Sequence, residues 1–270
     1  MNDKKLRIIL MGKKIWAAKA LNYLISSGHE IVAVVARNPS EELDCKNNKS
    51  LFEVAQENNI PTLSITELYE WIEFPEKSLI DLNEIDLVIS YLYWAKIKKS
   101  LLEVPKIGAI NFHPAPLPDL KGLGGYNKAI LEGRCNYGVT AHFMNENIDD
   151  GEIIEIENFP IDRDKETALS LEKKSQIHMF SLFKRAMNLI ETNTPITRIK
   201  QKENEGLYIN REAFEAMKYI KDDDTPEIID RKIRAFWYPP YEGVKTVIKG
   251  EGYTVVNNEI LKSISHLMHN

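Results

Sequence analysis

The chain has 270 residues, 43% of them hydrophobic, with 35 Lys and Arg against 40 Asp and Glu for a net charge of −5. That content can bury one full domain and a smaller appendage, and the acidic balance argues against nucleic acid as a main partner, whose binding rests on dense basic surface. No apolar run approaches the roughly 20 residues of a membrane span, Met1-Asn-Asp-Lys-Lys5 leads into a strand with no signal-peptide core, and two cysteines, Cys45 and Cys135, suit a reducing cytosol rather than a disulfide framework.

Leu6 to Met11 is an apolar run that predicts a strand ending at Gly12, followed by a helix from Ile15 to Ile25 with Ala17, Leu21 and Leu24 on one stripe. Gly12 is the only glycine of a Gly-x-Gly-x-x-Gly fingerprint present, so a nicotinamide dinucleotide is not expected. Gly12, Lys14 and Trp16 form either a loop that meets an anionic substrate at a helix N-terminus or a tight turn beside a solvated lysine. Glu30 to Ala36 predicts a second strand, Ser50 caps a helix over Leu51 to Asn58, Ile60 to Ser64 reads as a short edge strand, and Thr66 caps a helix through Ile72. Asp86 to Tyr93 is a buried strand with an aromatic end, Ser90-Tyr91-Leu92-Tyr93-Trp94. The alternation predicts a doubly wound, mostly parallel α/β sheet.

Ile107 to Ile110 predicts the next strand, and it runs into Asn111-Phe-His113-Pro-Ala-Pro-Leu-Pro118. Asn111 and His113, two apart, share one face, at the carboxyl end of a strand where open α/β sheets place ligands. Helix Tyr126 to Leu131, strands Val139 to Met144 and Glu152 to Ile156, and a long amphipathic helix from Lys165 to Ile190 follow. The Ile148-Asp149-Asp150-Gly151 loop lies between those two strands. Residues 191 to 224 read as a linker across the surface, with Asp222 to Asp224 a solvated run. Thr225 and Pro226 start a helix to Phe236. Val244 to Lys249 and Tyr253 to Val256 read as a hairpin around Gly250-Glu251-Gly252. No Cys/His grouping has zinc spacing, His266 and His269 included, so no metal is expected.

The Asn111-x-His113-Pro114 and Leu117-Pro118-x-x-x-Gly122 pattern, with Asp149-x-Gly151-x-Ile153-Ile154 downstream, resembles the folate-dependent formyltransferases. The resemblance implies a Rossmann-like formyltransferase domain over residues 1–190, a linker over 191–224, and a small C-terminal helix-plus-hairpin segment over 225–270 for substrate binding or dimerisation. It implies Asn111, His113 and Asp149 as the catalytic set, with Asp149 preferred to Asp150 because the family's acid is followed by one variable residue and then glycine. Ala115 stands where a serine is common in the family and Lys121 where an arginine often precedes the glycine. The co-substrate implied is N10-formyltetrahydrofolate. Tyr91, Tyr93 and Trp94 either border its pterin or pack in the core, and His142 either lines the same pocket or is a satisfied core histidine.

Formyl transfer to an amine needs a donor for the carbonyl oxygen and an acceptor for the amine proton. Asn111 suits the first and His113 the second, with Asp149 orienting the imidazole. The Phe112 to Pro118 and Gly124-Gly-Tyr-Asn127 wording, with Arg234-Ala-Phe-Trp237-Tyr-Pro-Pro-Tyr241-Glu-Gly243, looks most like the branch that formylates dTDP-linked 3- or 4-amino sugars, precursors of lipopolysaccharide and other surface glycans. That likeness implies a cytoplasmic homodimer. It makes Arg234, Trp237 and Tyr241 candidates for phosphate and base contacts, or else glue for the appendage. Methionyl-tRNA and glycinamide ribonucleotide formyltransferases are the enzyme alternatives, and a nonenzymatic nucleotide-sugar or folate-binding protein the alternative of another class.

Overall fold

A computed structural model of the protein describes residues 5–38, 48–202 and 205–262. The first half alternates β1 (Arg7–Gly12), α1 (Lys14–Ser26), β2 (Glu30–Ala36), α2 (Leu51–Glu57), β3 (Thr62–Leu63), α3 (Ile65–Glu73), β4 (Leu87–Tyr91), α4 (Lys99–Leu102) and β5 (Gly108–His113). Then come β6 (Leu120–Gly122), α5 (Gly125–Leu131), β7 (Asn136–Phe143), β8 (Ile153–Pro160) and α6 (Ala168–Glu191). The rest holds β9 (Leu207–Ile209), α7 (Arg211–Ala216), α8 (Pro226–Ala235), β10 (Lys245–Ile248) and β11 (Glu251–Thr254).

Seven strands form one sheet in the order β3-β2-β1-β4-β5-β7-β8. The pairings among β1 to β5 are parallel, and β7 and β8 are added antiparallel. This is the doubly wound, mostly parallel sheet expected. Its faces are set by strand periodicity: Ile8 and Leu10 join Leu21, Phe112 and Phe183 on one side, while Ile9 and Met11 join Leu68, Val88 and Leu101 on the other. The strand order reverses between β1 and β4, which opens a crevice at their carboxyl ends, the place where such sheets bind ligands. Among the described residues, no helix is long and apolar enough to cross a membrane.

Several local expectations need correction. Thr66 does not cap α3: Ser64 does, its hydroxyl accepting from Glu67 N–H while the Glu67 carboxylate accepts from Ser64 N–H. Ser50 and Glu53 make the same reciprocal pair at α2, so the Ser-x-x-Glu spacing decides both starts. The turn between β10 and β11 is Lys249-Gly250, with φ of 52° and 86°, and Ile248 faces Glu251 directly. Two positive φ values suit the twist of a two-residue hairpin turn, so the glycine that matters is Gly250 alone. Asp224 is not solvated. It pairs with the Lys232 ammonium, which also donates to the Tyr219 carbonyl at 2.8 Å.

The stretch read as a crossing linker carries paired structure. Ile199 bridges Ile153, and β9 runs parallel to β6, with Leu120 opposite Leu207 and Gly122 opposite Ile209. Gly206 enters this pairing in the left-handed region at φ 84°, where a Cβ would lie 1.6 Å from the Pro118 carbonyl oxygen.

Candidate active site

The carboxyl end of β5 presents Asn111 and His113 to a cavity of about 650 Å³. Asn111 is fixed on both sides of its amide. Its Oδ1 accepts from the Ser90 hydroxyl at 2.7 Å on neighbouring β4, and its Nδ2 lies 3.0 Å from His142 Nε2 on β7. His142 Nδ1 lies 2.8 Å from the Phe143 carbonyl oxygen, which can only accept, so Nδ1 carries the proton and Nε2 of the neutral ring accepts from Asn111. One Asn111 N–H remains for the cavity.

The same logic fixes His113. Its Nε2 sits 3.0 Å from the Leu120 carbonyl oxygen on β6 and must donate, which leaves the Nδ1 lone pair of the neutral ring facing Asp149 Oδ1 at 3.4 Å. Burial holds the imidazole below its ordinary pKa, and the pull of Asp149 in the other direction does not cancel it.

Asp149 is the carboxylate that reaches the site. Its backbone is left-handed at φ 53°, its Oδ2 accepts from Gly122 N–H at 2.9 Å, and its Oδ1 lies 3.7 Å from His142 Nε2. Burial opposes its charge, yet the two histidines and the Gly122 N–H hold the carboxyl down at about 2. The Gln201 side-chain amide clamps the turn by donating to the carbonyls of Asp149 at 3.0 Å and Gly151 at 2.8 Å. Gly151 is required, because a Cβ there would stand 1.7 Å from the Phe143 carbonyl oxygen. Asp150 turns the other way and pairs with Lys121 at 2.6 Å.

The remaining candidates divide. Tyr93, Trp94 and His142 line the cavity, with the Tyr93 and Trp94 rings 4.5 Å apart and the Arg37 guanidinium 4.4 Å above Trp94. Tyr91 does not line it: strand alternation sends Ser90 to the site and Tyr91 into the core, where its ring meets Phe112 and Phe183. Gly12 also lies elsewhere. A Cβ on it would come within 2.5 Å of the Tyr91 carbonyl oxygen and 2.8 Å of Ala17, so close strand-helix packing accounts for it. The Lys14 ammonium is buried against Glu172 and donates to the Tyr238 hydroxyl at 2.8 Å, and Trp16 packs on Phe180. Its neighbour Lys13 lines the cavity instead. Arg234 is taken up structurally, donating to Asp230 at 2.8 Å and to the carbonyls of Arg163 and Glu166. The Trp237 carbonyl accepts from Leu169 N–H and its half-buried ring packs on the core, while Tyr241 is exposed beside Tyr238. Neither lines the cavity. Tyr208, Asn210 and Arg211 do, and sequence reasoning missed them. The signal was there in Leu207-Tyr208-Ile209, an alternating triplet between Gly206 and the helix-capping Asn210.

The model of the family described as formyl transferase matches residues 4–186. The chain belongs to the formyl transferase family. A methionyl-tRNA formyltransferase of Alkaliphilus oremlandii (strain OhILAs) is 33% identical over 205 residues, which are 75% of this chain and 64% of that protein. Among solved structures, the N-formyltransferase of Helicobacter canadensis, in complex with folinic acid and dTDP-3-aminofucose, is 26% identical with a TM-score of 0.73, covering 91% of this chain and 85% of that one. WlaRD, a sugar 3N-formyl transferase crystallised in the presence of dTDP and 5-N-formyl-THF, is also 26% identical with a TM-score of 0.73, covering 92% and 84%. In this formyltransferase the cavity that holds Asn111, His113 and Asp149 combines what acyl transfer asks for: a free amide N–H, an unprotonated ring nitrogen and a buried carboxylate facing that nitrogen.

Proposed function

We propose that the protein transfers a formyl group from N10-formyltetrahydrofolate to the amino group of a dTDP-linked 3- or 4-amino-dideoxy sugar, a precursor of a surface glycan. The observation that carries this reading is the likeness, across 91% of this chain, to an N-formyltransferase solved with folinic acid and dTDP-3-aminofucose. It reaches well beyond residues 4–186 into the segment that contributes Tyr208 and Arg211 to the cavity. The cavity volume lies in the range that encloses a small-molecule ligand, and the Tyr93 and Trp94 rings offer a flat wall suited to a pterin.

Bound formylfolate supplies the activated formyl carbon. His113 takes the proton of the acceptor amine on Nδ1, because its Nε2 proton is already committed to Leu120. Asp149 then stabilises the imidazolium, and Gly122 N–H keeps the carboxylate turned toward it; His113 gives that proton to the departing N10 as the bond between N10 and the formyl carbon breaks, which releases tetrahydrofolate and restores the neutral ring. Asn111 aims its remaining N–H at the oxygen that gains negative charge, held there by Ser90 and His142; removing one such donor typically costs about 10²–10³ in kcat.

A second reading, methionyl-tRNA as acceptor, is favoured by the 33% identity to the Alkaliphilus oremlandii protein. The excess of acidic over basic residues fits a nucleotide sugar better than a tRNA. Purified protein given N10-formyltetrahydrofolate, with dTDP-3-amino and dTDP-4-amino sugars and methionyl-tRNA in parallel, separates them: tetrahydrofolate release with an amino sugar alone supports the first reading, and release with methionyl-tRNA alone replaces it.

A further inference from the structure

We infer that Arg211 is the residue that reads the diphosphate of the acceptor, an assignment that rests on the nucleotide-sugar reading above. A second cavity, of about 270 Å³, adjoins the first and is lined by Gly124, Gly125, Asn127 and Phe214. The two share a wall that includes His113, Gly122 and Arg211. His113 and Arg211 therefore line both spaces, so two substrates that meet at His113 have Arg211 beside the acceptor's path.

Charge singles out this arginine. Of the cations around the larger cavity, Lys13, Arg37 and Lys96 do not reach the smaller one, and Arg37 lies over the Trp94 ring. Among the described residues, the only carboxylate in either lining is Asp149, which is engaged with His113 and Gly122. Among the described residues, the Arg211 guanidinium has no hydrogen-bond or ion-pair partner. A planar guanidinium matches two phosphate oxygens at once, which a lysine ammonium does not.

The position of Arg211 is tied to the catalytic groups. Gly122, whose N–H holds Asp149, pairs with Ile209, and Leu123 N–H donates to the Ile209 carbonyl at 2.9 Å. Asn210 then caps α7 by accepting from Ala213 N–H at 2.8 Å, and Arg211 is the first residue of that helix. Phe214 packs on Gly124, where a Cβ would lie 2.5 Å from the ring, and on Phe236 at 5.7 Å between centroids. The guanidinium thus projects from a backbone registered to the same strand, β6, that positions His113 and Asp149.

The test titrates wild type, Arg211→Gln and Arg211→Lys with dTDP alone, and then measures the KM of each co-substrate. We expect both variants to bind dTDP about 10- to 100-fold more weakly, the loss typical of a charge-assisted bidentate contact, with the same rise in KM for the nucleotide sugar and little change in that for formylfolate. Wild-type protein that does not bind dTDP, unchanged dTDP affinity in Arg211→Gln, or a rise confined to the formylfolate KM overturns the assignment. Wild-type protein that binds dTDP through Arg211 yet formylates no dTDP-amino sugar overturns the acceptor reading and leaves the diphosphate site standing.

Discussion

Asp149 Oδ1 lies 3.4 Å from His113 Nδ1, the ring nitrogen left without a proton when Nε2 donates to the Leu120 carbonyl. The carboxylate therefore faces a lone pair in the resting site and an N–H only after the imidazole has accepted a proton. Its attraction grows as the reaction proceeds, which is the requirement for lowering the barrier rather than merely binding.

Burial depresses the His113 pKa, with Asp149 raising and His142 lowering it, and the net value lies below the ordinary 6.5. In the proposed mechanism the neutral ring is the base, so kcat/KM falls as pH drops through that depressed value. Asp149→Asn removes the raising influence, so the acid limb moves to still lower pH while kcat falls by about 10²–10⁴. Asp150→Asn keeps most turnover, since Asp150 faces Lys121, but strips a buried ammonium of its partner and lowers stability by roughly 1–3 kcal/mol. pH-rate profiles and melting curves of the two variants distinguish the residues. An inactive Asp150→Asn beside an active Asp149→Asn reverses the assignment.

Leu120 and Gly122 on β6 each hold one member of the proposed catalytic pair, and β9 is the strand that pairs with β6. Gly206→Ala puts a Cβ against the Pro118 carbonyl in a left-handed backbone, at a strain cost of order 1–3 kcal/mol. Displacing β6 should lower kcat at least about tenfold, given that a 1 Å misplacement can cost 10². Normal kcat in a folded Gly206→Ala protein removes β9 from the positioning of the site.

Trp94→Ala should raise the KM for formylfolate by roughly 5- to 100-fold if the indole stacks on the pterin. Tyr91→Phe should leave both KM values and kcat alone and keep or raise Tm, because the buried Tyr91 hydroxyl has no hydrogen-bond partner among the described residues to lose. Initial-rate kinetics and melting curves check the pair. A formylfolate KM that responds to Tyr91 and not to Trp94 contradicts the placement of the folate.

The sequence resolves elements wherever one physical signal dominates. Glu30–Ala36 follows from β-branched apolar density, and the start of α8 from Thr225 and Pro226, the Thr225 hydroxyl accepting from Ile228 N–H. The turn that carries Asp149 is marked in the sequence by Ile148-Asp149-Asp150-Gly151 between two strands, and the structure adds that a Cβ at 151 would stand 1.7 Å from the Phe143 carbonyl oxygen. Signals that depend on what folds back were not. Arg234 beside two tyrosines and a tryptophan has the composition of a nucleotide site, yet its guanidinium satisfies carbonyls at Arg163 and Glu166, some 70 residues upstream. Lys14 likewise finds Glu172 across the fold. The weak Leu-Tyr-Ile strand at 207–209 has meaning only beside Leu120–Gly122.

The hairpin of β10 and β11 exposes Val247, Ile248 and Tyr253, at 59%, 54% and 51%. A two-stranded hairpin is marginal by itself, and we expect a second copy of the chain to cover this face in a symmetric dimer. Sedimentation should show a species near twice 31.1 kDa at micromolar concentration, and Val247→Glu should convert it to monomer. A wild-type monomer under those conditions contradicts the expectation.

The most direct test of the account is mass spectrometry of the acceptor after incubation with N10-formyltetrahydrofolate and either the wild-type protein or His113→Asn. The account predicts that wild-type protein adds one formyl group to the amine of a dTDP-amino sugar, while His113→Asn, still folded and still binding dTDP, adds none at a measurable rate. An acceptor left unmodified by the wild-type protein, or formylated equally well by His113→Asn, contradicts it.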